Sequence, residues 1–525
     1  MTISRRTMLA GSAAAPLVMQ AGPASAATAS ISVHSERHRG EIDKKIFGNF
    51  IEHLGRCITG GIFDEGSQLS DKEGFRKDVM TAVKDMNVPF LRWPGGNFSS
   101  NYNWRDGIGP RDRRPRRLEM AWGTVEDNRF GTHEFMDYVE KIGAEPYICL
   151  NLGTGSWVDA QQWVEYVNGS QDTEIVRERK RNGRDKPWGV KYWGLGNEMD
   201  GYWQMGHRSA SDYAAFALEA AKLAKLTDPS VKLIAAGASN FRPGSDPIGW
   251  NRTVLESLKD YADYISLHLY VGNPTNDYAD FVASTIEMDQ KIEILAGLIQ
   301  AAMATRVDHV TGQLAKDGRQ IHIALDEWNV WYRARGDSQR GRRILEEHYN
   351  LEDALVVAGF LNSLVNHADV VKIANLAQLV NVIAPIFTND RGLFLQTIYY
   401  PLQLFANHVK GNSLRLLVES PTYKSKRFDS VAYIDASGSI EGNNLVVNVV
   451  NRHQDQPMDV TVLLEDKNFS GQVAVSEVNG PDIKAENDFD KTLVSAHTST
   501  TSASGNRLNC TLPPHSYTQL RASLA

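Results

Sequence analysis

Two glutamates sit in settings suited to acid–base chemistry. Glu198 lies within Gly194-Leu195-Gly196-Asn197-Glu198-Met199-Asp200, and Glu327 lies 129 residues further on within Leu325-Asp326-Glu327-Trp328-Asn329-Val330-Trp331-Tyr332. Each ends an apolar run of strand length, and each has asparagine and aromatic neighbours. A single glutamate of this kind is more often a solvated surface residue. Two of them at the ends of different strands supply what glycoside cleavage requires: one carboxyl protonates the leaving oxygen, and the other attacks the anomeric carbon or activates water.

Positioning such a pair calls for strands that end at one common face. Short apolar or β-branched runs recur at 46–52, 88–93, 147–151, 192–198, 233–237, 264–270, 321–328 and 370–379. The segments between them carry helical spacing. Phe75, Val79, Ala82, Val83 and Met86 fall on one helix face, 350–368 behaves likewise, and Ser209 with Asp212 resembles a capping box. Eight strands alternating with helices over some 330 residues predict a (β/α)8 barrel, in which active sites gather at the C-terminal strand ends. A doubly wound open sheet is the alternative, weakened by the lack of a Gly-rich phosphate fingerprint after the first strand. Beyond about residue 410 the texture becomes β-rich runs (431–434, 445–450, 460–464, 473–478) separated by turn residues, which predicts an antiparallel β-sandwich. The Ser/Thr-rich stretch 495–504 is read as a mobile loop, and 28–40 as a single strand that must pair elsewhere.

Composition sets outer bounds. A length of 525 residues allows three to four domains, or fewer where one is a barrel. With 42% hydrophobic and 23% charged residues the chain is neither disordered nor fibrous, and a net charge of −7 argues against a nucleic-acid-binding surface. Three cysteines form no disulfide scaffold, and a pair would have to join Cys57 to Cys149. At the start, Arg5-Arg6 precede a mildly apolar run, Met8 to Met19, and Ala24-Ser25-Ala26 has a small-x-small pattern. These features read as a twin-arginine export signal, residues 1–26, and predict a periplasmic or secreted protein. The run is shorter than a membrane span, and no other segment is apolar enough to be one.

The strings Phe47-Gly48-Asn49-Phe50-Ile51-Glu52-His53-Leu54-Gly55-Arg56, Leu91-Arg92-Trp93-Pro94-Gly95-Gly96-Asn97-Phe98, Gly196-Asn197-Glu198-Met199-Asp200-Gly201, Ile265-Ser266-Leu267-His268-Leu269-Tyr270, Asp326-Glu327-Trp328-Asn329-Val330-Trp331-Tyr332 and Ala377-Gln378-Leu379-Val380-Asn381 follow one another in order, each at a strand end. In these the chain resembles glycoside hydrolase family 51, the α-L-arabinofuranosidases, over nearly everything after residue 40. The resemblance implies a retaining, exo-acting enzyme that removes terminal α-L-arabinofuranosyl residues from plant cell-wall arabinan, arabinoxylan or derived oligosaccharides through a covalent glycosyl-enzyme. By resemblance Glu198 is the acid/base and Glu327 the nucleophile, with carboxyls about 5–5.5 Å apart. Arg92 then holds Glu327 ionised, Tyr270 donates to it, and Asn197 bonds a sugar hydroxyl. Glu52, Asn97 and Gln378 bind the furanose hydroxyls, and Trp331 and Trp122 wall the sugar. The resemblance also implies a barrel spanning 41–405 and a sandwich made of 406–525 plus the strand in 27–40, and it suggests a homo-oligomer.

Plainer readings stand beside these. The lesser alternative for Arg92 is a barrel-mouth ion-pair residue with no substrate contact; Gly95 and Gly96 can serve as turn formers only, and His268 reads as a hydrogen-bonded core residue before a metal ligand. No zinc-type spacing surrounds His268, so neither a catalytic metal nor another cofactor is expected. The arginines 111–117 and 177–184 read as solvated or subunit-facing stretches. The segments 153–157 and 333–346 depart from the family pattern, are expected to border the leaving-group side, and leave the polymer preference open. Two other functions remain: a retaining β-glycanase or β-xylosidase of the same barrel clan, and a non-catalytic sugar-binding barrel.

Overall fold

The computed structural model describes residues 27–241, 244–334 and 343–525. The proposed export signal, 1–26, lies outside them. Eight parallel strands close a barrel in chain order: Gly48–Phe50, Phe90–Trp93, Glu145–Cys149, Tyr192–Leu195, Lys232–Ala235, Tyr264–Val271, His322–Val330 and Val371–Ala377. Each falls in or across one of the eight expected windows. These strands are buried on both faces, which is why they read as apolar runs instead of alternating ones.

The barrel interior has two zones. Toward the N-terminal strand ends, Phe90, Tyr147, Tyr192, Ile234, Tyr264, Ala324 and Ile373 fill the lumen as an apolar and phenolic floor. Above it, toward the C-terminal ends, the interior becomes polar: Arg92, His268, Asp326 and Glu327 are all buried there. Among the outer helices, Lys77–Met86 buries Val79, Ala82, Val83 and Met86, and Asn87 closes it in the left-handed conformation (φ 60°). The helix Leu351–Asn366 opens with a full capping box between Asn350 and Asp353. Every residue from Leu351 to Val365 is buried, because barrel and sandwich enclose the helix from both sides.

The sandwich has a four-stranded sheet and a seven-stranded sheet. The expected single strand over 28–40 is in fact two. Ala27–Val33 enters the four-stranded sheet, antiparallel to Leu417–Glu419 and parallel to Met458–Leu464, while His38–Glu41 pairs with Asn412–Leu414 in the other sheet. Turn residues 34–37 let the chain change sheets. The stretch read as a mobile loop is also a strand: Ser495–Ser502 pairs antiparallel along Phe469–Asn479 at the sheet edge. Its threonines favour a pleated conformation, and polar side chains suit an edge that faces water.

The arginine-rich stretches are solvated at Arg113, Arg116, Arg117, Arg177 and Arg181, but two of their arginines turn inward. Arg114 is buried against Glu134, donating from Nη1 at 2.8 Å and Nη2 at 3.0 Å, and Arg179 donates to the carbonyls of Tyr166, Gly169 and Asp185. Cys57, Cys149 and Cys510 are free thiols. No helix of the described residues is long and apolar enough to cross a membrane.

Candidate active site

Just beyond the fourth strand the chain turns sharply. Gly196 has φ 85°, where a side chain would be strained and would crowd Leu152 and Met199. Glu198 itself sits at φ 46°, a conformation rare for a non-glycine residue and one that clusters at functional sites. The turn points its carboxyl into the barrel mouth. Trp203 Nε1 donates to Glu198 Oε2 at 2.7 Å, and His268 Nδ1 lies 2.9 Å from Oε1. Burial, ahead of the negative charge of Glu327, raises the Glu198 pKa above the ordinary value; His268 and Trp203 offset part of this.

Strand seven solves a different geometric problem. Strict alternation would send Asp326 and Glu327 to opposite faces. Instead the register slips by one residue against both neighbouring strands, between Ser266 and His268 on one side and between Leu325 and Trp328 on the other. This bulge turns both carboxyls inward. Glu327 Oε1 accepts from the Tyr270 hydroxyl at 2.8 Å, and Oε2 from Arg92 Nη1 at 3.1 Å. Arg92, buried at the end of strand two, also donates to the Asp326 carbonyl at 2.8 Å and to Asn197 Oδ1, and its guanidinium lies over the Phe50 ring. Tyr270 is pushed well above the phenol range by burial and then by the Glu327 charge, so it stays a donor.

Asp326 accepts from Tyr147 at 2.7 Å and lies 3.2 Å from His268 Nε2. With carboxylates at both ring nitrogens, His268 donates from each. Burial alone would lower its pKa, but Glu327, then the bonds to Asp326 and Glu198, hold it well above the ordinary histidine value. Burial would likewise raise Asp326, yet Arg92 and then His268 keep it below the usual carboxylate range. His268 and Asp326 therefore belong to the site, which the sequence reading missed. The available signal was the two-residue spacing from His268 to Tyr270, which places both on one strand face.

The remaining expected residues converge on the same cavity, about 480 Å3 in volume, lined by Glu52, Asn97, Trp122, Trp331 and Gln378 together with both glutamates, His268 and Tyr270. Glu52 Oε1 accepts from the Phe98 amide at 2.8 Å and from Trp122 Nε1 at 3.1 Å, while Gln378 Nε2 donates to Oε2 at 3.2 Å. Burial pushes the Glu52 carboxyl up to about 8. Gly95 and Gly96 allow close approach: a Cβ at Gly95 would lie 2.6 Å from Glu52 Cγ, and one at Gly96 would face Glu327, Glu52 and Asn197. Asn197 Nδ2 and Gln378 Oε1 are buried and make no hydrogen bond within the protein, which leaves one donor and one acceptor for a ligand. The Trp331 ring stands edge-on to Tyr270 at 5.5 Å. Beyond it, the fully buried Glu347 accepts from the amides of Tyr332, Arg333 and Ala334, each at 3.0 Å. The segment 153–157 does not line this cavity; Gly153 packs behind it, close to Met205 and Gly206.

One donor atom each from Glu198, His268 and Glu327 lies within 4.8 Å of the others, a spacing that also suits a metal ion. The same carboxylates, however, already accept from a guanidinium, a phenol and an indole. That donor set directs lone pairs at hydrogens and fits proton management better than cation binding.

The model described as the α-L-arabinofuranosidase 1 domain matches residues 82–290, and the one described as the α-L-arabinofuranosidase C-terminal domain matches 326–516. The thermostable family 51 α-L-arabinofuranosidase of Thermotoga petrophila is 39% identical, with a TM-score of 0.85 over 94% of this chain and 100% of that one. The chain belongs to glycoside hydrolase family 51. Other relatives include the intracellular exo-α-(1→5)-L-arabinofuranosidase 1 of Bacillus subtilis, 40% identical over 93% of this chain and 98% of its own length. The intracellular exo-α-(1→5)-L-arabinofuranosidase of Halalkalibacterium halodurans is 38% identical over 94% and 99%. These names overturn the expected periplasmic or secreted location: both relatives align along almost their whole length and both are intracellular proteins. The export reading rested on 26 residues outside the described structure, and it does not stand.

Proposed function

We propose that the chain is a retaining exo-α-L-arabinofuranosidase acting on terminal α-L-arabinofuranosyl residues of arabinan, arabinoxylan or their oligosaccharides, with Glu327 as nucleophile and Glu198 as acid/base. The observation that carries this reading is the carboxylate pair itself. Oxygens of Glu198 and Glu327 lie within 4.8 Å of one another, near the ~5–5.5 Å carboxyl separation of retaining enzymes and well short of the ~6.5–9.5 Å that leaves room for water in inverting ones.

The two halves of the reaction follow from the neighbours. In the first, Glu327 attacks the anomeric carbon while protonated Glu198 gives its proton to the departing oxygen. Ester formation removes the Glu327 charge, one of the two influences that raise the Glu198 pKa. Glu198, now a carboxylate, then takes a proton from water as the water oxygen attacks the same carbon, and Glu327 leaves as a carboxylate. Asn197 Nδ2 and Gln378 Oε1, with Glu52 and Asn97, provide polar contacts for the furanose hydroxyls, which strengthen as charge develops.

A β-xylosidase or β-glycanase of the same clan would share the glutamates and differ in the pocket; a non-catalytic barrel would not require both of them. With 4-nitrophenyl α-L-arabinofuranoside, Glu327→Ala should lose turnover and regain it with azide, releasing the sugar azide of inverted configuration. Substantial activity in Glu327→Ala without azide would refute the assignment. From the family resemblance we also infer a homo-oligomer; light scattering that gives a monomer mass would refute that.

A further inference from the structure

A carboxylate that no water reaches is stable only where several donors meet it. Glu347 is such a group. Its side chain is fully buried and does not line the barrel-mouth cavity, and the hydrogen bonds its carboxylate accepts come from one turn, the amides of Tyr332, Arg333 and Ala334. Its own place is fixed from behind: Gln396 Nε2 donates to the Glu347 carbonyl at 2.9 Å, and Gln396 Oε1 accepts from the Tyr349 amide at 2.8 Å. Tyr349 in turn donates its hydroxyl at 2.7 Å to the carbonyl of Val330, the last residue of strand seven.

The turn it grips carries a wall of the cavity. Trp331 directly precedes the turn, and its indole N–H donates to the Ala334 carbonyl at 3.3 Å, so the pose of the ring follows the shape of residues 331–334. That ring lines the cavity and stands edge-on to Tyr270 at 5.5 Å, and the Tyr270 hydroxyl donates to Glu327 Oε1 at 2.8 Å. Direct contacts therefore run from a carboxylate outside the cavity to the nucleophile. The turn also has other anchors. Tyr332 packs against Gly272, where a Cβ would lie 2.4 Å from Tyr332 Cβ, and Arg333 Nη1 donates to Asp353 Oδ2 at 2.8 Å. With these in place, loss of the Glu347 bonds loosens the turn without releasing it.

We propose that Glu347 is a positioning residue for glycoside cleavage: by holding the turn 332–334 it sets the Trp331 ring, which bounds the sugar and backs Tyr270 against Glu327. The inference rests on the arabinofuranosidase reading and extends it to a residue that lies outside the cavity. Hydrogen-bond geometry gives the reason for a carboxylate at this position. Oε1 accepts from the Tyr332 and Arg333 amides and Oε2 from the Ala334 amide. A glutamine carbonyl could serve the first two, but its NH2 would then meet the third amide donor against donor.

A double-mutant cycle on kcat/KM with 4-nitrophenyl α-L-arabinofuranoside tests this, since only a residue that acts through Trp331 loses its effect once that ring is gone. Glu347→Gln should lower kcat/KM by about five- to twentyfold in the wild-type background, the effect of a displaced hydrogen bond and ring contact. In Trp331→Ala the same change should cost less than about twofold. Thermal unfolding midpoints establish that each variant is folded at the assay temperature. Glu347→Asp, which keeps the charge but draws the oxygens back by one methylene, gives the same cycle and takes the place of Glu347→Gln where that variant is unfolded. An unchanged kcat/KM, or the same factor lost with and without the Trp331 ring, would overturn the positioning role while leaving the arabinofuranosidase reading intact. Wild-type enzyme that does not cleave the glycoside would overturn that reading, and the role of Glu347 with it.

Discussion

At the end of strand seven, Glu327 accepts from a guanidinium and a phenol; at the end of strand four, Glu198 accepts from an indole and faces an imidazole. Their side chains are 10% and 12% exposed, so burial does not separate them. The neighbours do. A fixed cation and a hydroxyl donor point at Glu327, the surroundings of an anion ready to attack. Glu198 has its pKa raised and is linked through a titratable ring to Asp326, the surroundings of a group that gives up and recovers a proton. Identical carboxyls acquire opposite tasks from what the adjoining strands bring to them.

Removing one side of this contrast should give the largest effect. Glu198→Ala should cut kcat/KM for poor leaving groups by roughly 10²–10⁴-fold and for good ones such as 4-nitrophenol far less; equal loss across a leaving-group series would argue against the acid role. Next, Arg92→Met takes the cation from Glu327 and leaves buried polar groups unpaired. A fall in kcat of roughly 10²–10³-fold is expected, measured with 4-nitrophenyl α-L-arabinofuranoside at saturation. A change confined to KM would make Arg92 a substrate-binding residue only.

The smallest expected effect sharpens the other half. His268 holds the Glu198 pKa down, so His268→Asn should raise it. The acid then keeps its proton to higher pH, and the alkaline limb of kcat/KM should move upward. A pH–rate profile reads this directly; an unmoved or lowered limb would show that the imidazole does not govern the Glu198 proton.

Much of this arrangement is legible in the residues alone. Strands buried on both faces leave uninterrupted apolar runs, and Glu198 and Glu327 stand where such runs stop. The linkage from Asp326 through His268 to Glu198 is not legible, because it depends on a one-residue bulge that no local pattern announces. Charge misleads as well: Arg114 and Arg179 look like solvated residues until a buried carboxylate or a ring of carbonyls is found around each. The threonine-rich stretch 495–502 has the composition of a loop and the pairing of an edge strand.

The helix Leu351–Asn366 has no water-facing side. Asn362 and Asn366 donate to the carbonyls of Asp435 and Ala436, and Ser437 donates back to Asn362 at 2.7 Å. For protein engineering this makes the sandwich a poor candidate for removal. A chain shortened to the catalytic barrel would bare a greasy helix just downstream of the nucleophile strand and invite aggregation, so libraries aimed at altered specificity are better built on the full-length scaffold.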